Sequence, residues 1–253
     1  MFNRRVLEAS IPVKPYNVVA RKYGLVSYAN FVDYIEGDQV FLADVPEWVN
    51  HKHLRENIHH IGPLPAHLNI PVPETLKNIS KEQPIVYLAM GSSGKGTLIR
   101  ELIEGFRGKP YTVIAPIASH IEALEINVPS NVIVTGFIPA DKVNPMADVA
   151  IIHGGQNTVM NACLSGTPFV GIGMHAEQQA NLDACVRKGF AIRLSKKYVT
   201  SSEVLESIDQ LLADKAAKNS IDIFREQLLK WNGPENAALL LNKLYGEVES
   251  WQE

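Results

Sequence analysis

Short apolar segments alternate with helical or turn segments through the middle of this 253-residue chain, and this alternation limits the fold more than any other feature. Each apolar segment has the length of a strand, and turn residues or helical patterns separate them. The predicted strands are Ile85 to Met90, Tyr111 to Ala115, Val132 to Thr135, Val149 to His153, Phe169 to Ile172 and Phe190 to Leu194. Strands in this order form a parallel sheet that helices cover on both faces. The sequence therefore predicts an α/β fold with a doubly wound parallel sheet.

Polar and glycine residues follow the fourth of these strands. His153 stands at its carboxyl end, and Gly154 and Gly155 allow a tight turn that a ligand can approach closely. The next residues, 156–158, open a helix whose unpaired N–H groups and positive dipole end attract an anion. We interpret this junction as a diphosphate-binding site.

A second strand-to-helix junction follows within the same segment. Phe169 to Ile172 forms the strand, and Glu177, Gln178 and Asn181 lie just beyond it. Ligands of open parallel sheets bind outside the carboxyl ends of the strands, so both junctions border one crevice. A carboxylate and an amide beside a diphosphate site are suited to bind sugar hydroxyls.

The whole segment, Asp148 to Asn181, resembles the donor-sugar signature of nucleotide-sugar glycosyltransferases with two Rossmann-like domains. This group contains the UDP-glucuronosyltransferases, the plant secondary-product enzymes and bacterial enzymes that act on antibiotics. The resemblance implies the C-terminal, donor-binding domain of the GT-B fold. It assigns the sugar hydroxyls to Glu177 and Gln178. It assigns the donor diphosphate to His153, Gly154, Gly155, Gln156, Asn157 and Thr158, with His153 stabilising the leaving group.

Three further positions follow from the same resemblance. Gly91, Ser92 and Ser93 correspond to the first phosphate loop, although a simple turn explains them equally well. Phe137 corresponds to an aromatic residue that stacks on the nucleobase, with the Ile138 backbone reading the base edge; the alternative is that Phe137 belongs to the core. Asn161 stands where plant enzymes place a ribose-binding glutamate, which leaves the choice between UDP and dTDP open; the alternative is an exposed helix residue.

Four regions are predicted along the chain. Residues 1–62 resemble a partial remnant of the N-terminal, acceptor-side domain, and residues 63–83 are a proline-rich interdomain linker. Residues 84–232 form the donor-binding domain, with predicted helices beginning at Ser201 and Asn219 and residues 215–218 read as a solvated helix end. A crossover helix over 233–253, starting near Glu235, completes the chain.

The resemblance also limits the chemistry. Inverting members of the group use a histidine near the start of the N-terminal domain as general base, and no residue here corresponds to it. We therefore expect the donor-binding half of an inverting glycosyltransferase that moves a sugar from a UDP- or dTDP-sugar to a hydroxyl acceptor. It should be incompetent for transfer without an acceptor-binding half or a separate acceptor-binding subunit. Its exposed interdomain face predicts self-association.

Composition excludes several other classes. The net charge of −3 includes no basic block, so nucleic acid is not an expected partner. No apolar stretch approaches the ~20 residues that cross a bilayer, and we expect a cytoplasmic protein. Cys163 and Cys185 are predicted to be buried free thiols. The sequence predicts neither a metal site nor a cofactor, with the nucleotide sugar acting as co-substrate.

Two other functions fit part of the sequence. One is a nucleotide-sugar-binding module or subunit without catalysis, because a binding sequence alone does not imply transfer. The other is an enzyme resembling the nucleotide-sugar 2-epimerases, which share this fold. The second needs acids and bases around the sugar, and the sequence shows no matching signature.

Overall fold

The computed structural model describes residues 12–49, 54–90, 96–119, 121 and 125–246. These residues belong to two compact units. One unit combines the chain up to Gly62 with the chain from Gly233 onward, and the other extends from Pro63 to Asn232.

The secondary-structure elements are numbered in chain order. The strands are β1 (Val40–Leu42), β2 (Ile58–His60), β3 (Ile85–Ala89), β4 (Thr112–Ala115), β5 (Val132–Val134), β6 (Val149–Ile152), β7 (Phe169–Gly171) and β8 (Ala191–Arg193). The α-helices are α1 (Lys14–Lys22), α2 (Phe31–Ile35), α3 (Pro46–Val49), α4 (Glu74–Lys77), α5 (Gly96–Gly105), α6 (Ala140–Val143), α7 (Gln156–Ser165), α8 (Ala176–Arg187), α9 (Ser201–Ala213), α10 (Lys215–Leu228) and α11 (Gly233–Tyr245). A 3₁₀ turn, Asn144–Met146, follows α6.

The larger unit contains the predicted parallel sheet. Its strands lie in the order β5-β4-β3-β6-β7-β8, and every neighbouring pair is parallel. The side chains of β3, β6 and β7 are all buried, as expected for central strands that helices cover on both faces. The α/β fold and its six predicted strands are therefore confirmed. The chain reverses its direction of winding between β3 and β6, which places the crevice of the sheet there.

The core of the larger unit lies between the sheet and its helices. Helix α5 buries Leu98, Ile99, Leu102 and Ile103, and α9 packs against α5. Helix α10 packs against α7. Phe190 stacks on Phe224 and meets the edge of Phe169, which joins α10 to the sheet. Cys163 and Cys185 are buried and free, as predicted.

The first helix after the sheet, α9, begins at Ser201, as predicted, and Thr200 is its N-cap. The Thr200 hydroxyl accepts from the Glu203 N–H, and the Glu203 side chain accepts from the Thr200 N–H. This reciprocal capping box satisfies two backbone donors at once. Helix α10 begins at Lys215 rather than Asn219, because the Asp214 carboxylate caps the N–H groups of residues 216 and 217. Residues 215–218 are thus the first turn of this helix, and the exposed Lys215 and Lys218 agree with the predicted solvated helix end.

The smaller unit holds a two-stranded parallel sheet. Val40 pairs with Ile58 and Leu42 with His60, so residues 58–60 form strand β2. Helix α11 begins at Gly233, two residues before the predicted Glu235. The Asn236 amide donates to the Ile61 carbonyl (2.9 Å) and holds α11 beside β2.

Within the described ranges, no helix has the length and apolar character that crossing a membrane requires.

Candidate functional site

A cleft of about 610 Å³ opens at the carboxyl ends of the sheet strands in the larger unit. Ala89 ends β3, Pro116 follows β4, Phe137 follows β5 and His153 follows β6, and all four line it. The parallel strand order brings these ends together although they are far apart in sequence. Of the predicted site residues, those that line the cleft are Phe137, Ile138, His153, Asn157, Thr158 and Asn161.

His153 is half-buried where β6 ends. Its Nδ1 lies 3.4 Å from the Ala89 carbonyl oxygen on the neighbouring strand. Burial lowers the pKa of the imidazole; the nearby His175 lowers it further, while the Ala89 hydrogen bond and the Glu177 charge act to raise it. When Nδ1–H donates to Ala89, the neutral ring leaves Nε2 as an acceptor, which becomes a second donor on protonation. The ring can therefore gain a proton when an anion binds beside Nε2.

The two residues of the glycine turn, Gly154 and Gly155, are glycines for different structural reasons. Gly154 has φ +85°, and a Cβ there would lie 2.7 Å from Leu182 Cγ and 2.8 Å from the Gln178 carbonyl oxygen. Gly155 has ordinary extended angles, φ −60° and ψ 142°. A Cβ at Gly155 would lie 2.8 Å from His153 Nε2. The absence of a side chain at Gly155 thus leaves room for the imidazole at the start of α7.

Helix α7 begins directly after this turn. Gly155 is its N-cap and forms no side-chain cap. The first N–H groups of an α-helix have no partner within the helix and carry its positive dipole end. Asn157 and Thr158, in the first turn, line the cleft. The helix start can accept an anion next to His153.

The second junction, at the start of α8, lies against the glycine turn. Glu177 is exposed, and its carboxylate accepts from the Asn181 amide. The same Asn181 Nδ2 donates to the Gly154 carbonyl (3.0 Å). Gln178 is buried, and its amide oxygen accepts from the Met174 N–H (2.8 Å). Neither Glu177 nor Gln178 lines the cleft, so the structure brings them to the glycine turn rather than to the cleft wall.

Leu182 fixes the separation between α8 and the sheet. The side chain is fully buried and occupies the space that side chains at Gly154 and Gly171 would need. A Cβ at Gly171 would lie 2.2 Å from Leu182 Cδ2. Two glycines at the ends of neighbouring strands therefore allow α8 to approach the sheet closely.

The structure answers two questions that the sequence left open. Phe137 is 69% exposed and lies on the wall of the cleft, so it is not a core residue. Asn161 is only 4% exposed and donates to the Asn157 carbonyl (2.9 Å), so it is not an exposed helix residue. Ile138, beside Phe137, is buried. The predicted phosphate-loop residues Gly91, Ser92 and Ser93 lie outside the described residues.

Tyr87 is a cleft residue that sequence reasoning missed. It lies in β3 within an otherwise apolar run, and burial raises the pKa of its phenol to about 12. The hydroxyl is therefore neutral near pH 7. Its only signal in the sequence was one polar group in a strand of apolar side chains. The two bonds made by Asn181 were also missed, because they join segments whose distance the sequence does not give.

The family model described as "UDP-glucoronosyl and UDP-glucosyl transferase" matches residues 39–226. The PGL/p-HBAD biosynthesis glycosyltransferase of Mycobacterium tuberculosis (strain ATCC 25177 / H37Ra) is 29% identical over 203 residues, which are 79% of this chain and 46% of that protein. The chain thus spans about half the length of the curated relatives it matches.

Solved structures agree on the fold. Spinosyn forosaminyltransferase SpnP has a TM-score of 0.75 at 18% identity, covering 95% of this chain and 63% of that one. Glycosyltransferase SsfS6 of Streptomyces sp. SF2575, complexed with thymidine diphosphate, has a TM-score of 0.65 at 18% identity, covering 91% and 58%. Both support the GT-B architecture that the sequence predicted. Because the family model covers most of the chain, the protein belongs to the UDP-glucuronosyl and UDP-glucosyl transferase family.

Proposed function

We propose that this chain is the donor-binding half of an inverting glycosyltransferase that moves a sugar from a UDP- or dTDP-sugar to a hydroxyl acceptor. In this proposal residues 84–232 bind the nucleotide sugar. The observation that carries it is His153 Nε2 standing beside Gly155 at the N-terminus of α7, in a cleft at the reversal point of the sheet.

The diphosphate binds at the start of α7. The N–H groups of Gly155 and residues 156–158 donate to the phosphate oxygens, and the helix dipole favours their charge. His153 becomes protonated beside the anion, because opposite charge stabilises the imidazolium that burial disfavours in the free chain. A protonated ring also stabilises the diphosphate as it leaves the sugar.

The nucleoside occupies the cleft from His153 towards Phe137. The exposed Phe137 ring gives a flat apolar surface for the base, with the Ile138 backbone beside it. Asn161 faces the same cleft, and its Nδ2 already donates to Asn157, so its amide oxygen is the group for a ribose hydroxyl. The thymidine diphosphate complex of SsfS6 supports a nucleoside diphosphate of this kind as ligand.

The sugar lies towards α8. The exposed Glu177 carboxylate accepts hydrogen bonds from hydroxyl groups of the sugar. Gln178 uses its oxygen for the Met174 N–H, so its NH₂ group is the one that contributes to sugar binding. In the same proposal Gly91, Ser92 and Ser93 add donors to the phosphates.

Transfer needs a base that removes the acceptor proton. We infer that this base comes from an acceptor-binding half or a separate acceptor-binding subunit, with residues 1–62 belonging to the acceptor side, 63–83 to the linker and 233–253 to the crossover helix. The matched relatives support this inference, because the aligned residues cover only about half of their length. Size-exclusion chromatography with light scattering separates this arrangement from self-association of the chain.

Isothermal titration calorimetry with UDP and dTDP tests donor binding. We expect saturable binding of at least one of them, with an affinity reduced by His153→Ala. Inorganic pyrophosphate controls for charge alone. Neither heat nor a thermal shift with either nucleotide would refute the proposal.

A transfer assay tests whether the chain can transfer sugar without an acceptor-binding partner. The purified chain is incubated with UDP-glucose or dTDP-rhamnose and a phenolic acceptor, and glycoside is measured by mass spectrometry. We expect donor binding without useful transfer. Robust glycoside formation by the chain alone would contradict the assignment of the base to a partner.

A further inference from the structure

Asn181 connects the two strand-to-helix junctions of the site. It lies on α8, one turn after Glu177 and on the same side of the helix. Its Nδ2 donates one hydrogen bond to the Gly154 carbonyl (3.0 Å) and another to the Glu177 carboxylate. Both amide protons are thus used, one on each junction.

The bond to Gly154 fixes the direction of a backbone donor. The Gly154 carbonyl and the Gly155 N–H belong to one peptide unit, and this unit is trans. In a planar trans peptide the C=O and N–H bonds point in opposite directions. Holding the carbonyl against α8 therefore directs the Gly155 N–H away from α8. Glycines on both sides leave this unit free to rotate unless a bond holds it.

The bond to Glu177 fixes a carboxylate that is otherwise exposed. One carboxylate oxygen of Glu177 accepts from Asn181, which leaves the second oxygen for a ligand. A long, exposed side chain without such a bond samples several rotamers and loses that freedom on binding. Asn181 removes part of this cost before any ligand arrives.

We propose that Asn181 is a positioning residue that orients the Gly155 N–H for the donor diphosphate and the Glu177 carboxylate for the sugar, and so couples the two subsites. The inference rests on the proposed function. It adds a residue that touches neither ligand but determines how well both are bound. A residue that only stabilises α8 does not have this dual effect.

Calorimetry on four proteins separates these roles: the wild type, Asn181→Ala, Glu177→Ala and the double variant. The ligands are UDP, UDP-glucose, dTDP and dTDP-glucose. Glu177→Ala should leave nucleoside diphosphate affinity within about twofold and weaken only the nucleotide sugar. Asn181→Ala should weaken both, each by about fivefold to tenfold, as expected for one lost hydrogen bond. The double variant should lose less than the combined single effects on the nucleotide sugar.

Asp183→Asn is the matched control. Asp183 lies on the same helix, two residues after Asn181 and therefore on a different side of it. Its side chain forms a partly exposed ion pair with Arg193. It should bind all four ligands as the wild type does. If Asn181→Ala is too unstable, Asn181→Leu keeps a similar side-chain volume, removes the NH₂ donors without adding a charge beside Glu177, and should give the same binding pattern.

Three results would overturn the inference: unchanged binding in both Asn181 variants, a loss confined to the nucleotide sugar, or additive effects in the double variant. A ligand-free crystal structure of Asn181→Ala gives a test independent of donor binding. The Gly154–Gly155 peptide should rotate or occupy two orientations. If the wild type binds no nucleotide, the proposed function fails, and an unchanged peptide in this crystal structure then rejects the positioning role as well.

Discussion

Gly155→Ala separates ligand binding from folding at the glycine turn. The backbone angles at Gly155, φ −60° and ψ 142°, suit alanine without strain. The new Cβ would stand 2.8 Å from His153 Nε2, and the ring must retreat until ordinary contact near 3.4 Å is restored. Alanine restricts the unfolded chain, which stabilises the fold by about 0.4–1 kcal/mol. Displacing the His153 ring from its rotamer destabilises the fold by about 0.5–1.5 kcal/mol. The free energy of unfolding should therefore change by less than about 1 kcal/mol.

Ligand affinity should change much more. The displaced imidazole loses its charge-assisted bond to the diphosphate, which contributes about 1.5–3 kcal/mol. The dissociation constant should rise roughly tenfold to 150-fold, at about 1.4 kcal/mol per factor of ten. Calorimetry with the preferred nucleoside diphosphate measures this change, and thermal unfolding checks the fold.

Gly37→Ala provides the control. A Cβ at Gly37 meets the Gln39 carbonyl oxygen at 3.5 Å, an ordinary contact remote in sequence from the site. His153→Ala should lower nucleoside diphosphate affinity as much as Gly155→Ala does. The double variant should bind only slightly more weakly than either single variant. A folded Gly155→Ala protein with wild-type affinity would refute the placement of Nε2 at the diphosphate.

The other predictions concern stability, stacking and pH. Gly154→Ala combines a positive φ with overlap against Leu182 and the Gln178 carbonyl; it should destabilise the fold by about 2–5 kcal/mol and lower the melting temperature by roughly 5–15 °C. Phe137→Ala should weaken nucleotide binding by about 1–3 kcal/mol by calorimetry while leaving the melting temperature nearly unchanged, because the ring is exposed. Burial lowers the pKa of His153 in the free chain, so diphosphate binding should take up a proton and tighten as the pH falls from 8 to 6; buffer-dependent calorimetry should show this in the wild type and not in His153→Gln. The same pKa shift has the opposite consequence for folding, because the folded state binds this proton less tightly than the unfolded state. The free energy of unfolding should therefore fall as the pH drops below the ordinary histidine pKa of 6.5. Denaturant titrations should show a smaller fall in His153→Gln.

The sheet was predictable because its central strands are buried on both faces. Such strands appear as continuous apolar runs, as in Val149–Ile152, and glycine or proline marks their ends. Helix starts were predicted less evenly: α9 begins at the predicted Ser201, whereas α10 begins at Lys215 rather than Asn219 because Asp214 caps it. Strand β2 was missed because its partner β1 lies 18 residues earlier in register, and short-range patterns carry no information about that pairing.

The chemistry of the candidate site stays a prediction, but its geometry was predictable where its residues follow one another in the chain. His153 and the glycine turn meet this condition, because strand end, turn and helix start are consecutive. Contacts between segments that are distant in the chain do not meet this condition. The orientation of the Gln178 amide towards Met174, the two bonds of Asn181 and the position of Tyr87 depend on how closely α8 and β3 approach their neighbours.

The close fit of Leu182 between Gly154 and Gly171 has a consequence for protein engineering. The anchor of α8 lies five to seven residues beyond the exposed residues His175, Ala176 and Glu177, which contribute little packing. If the proposed sugar site is correct, foldability and sugar preference are encoded at separate positions of this segment. A library randomised over 175–177 should retain folded members almost throughout, whereas one randomised at Leu182 should be mostly insoluble. Donor selectivity can then diverge without compensating changes elsewhere in the scaffold.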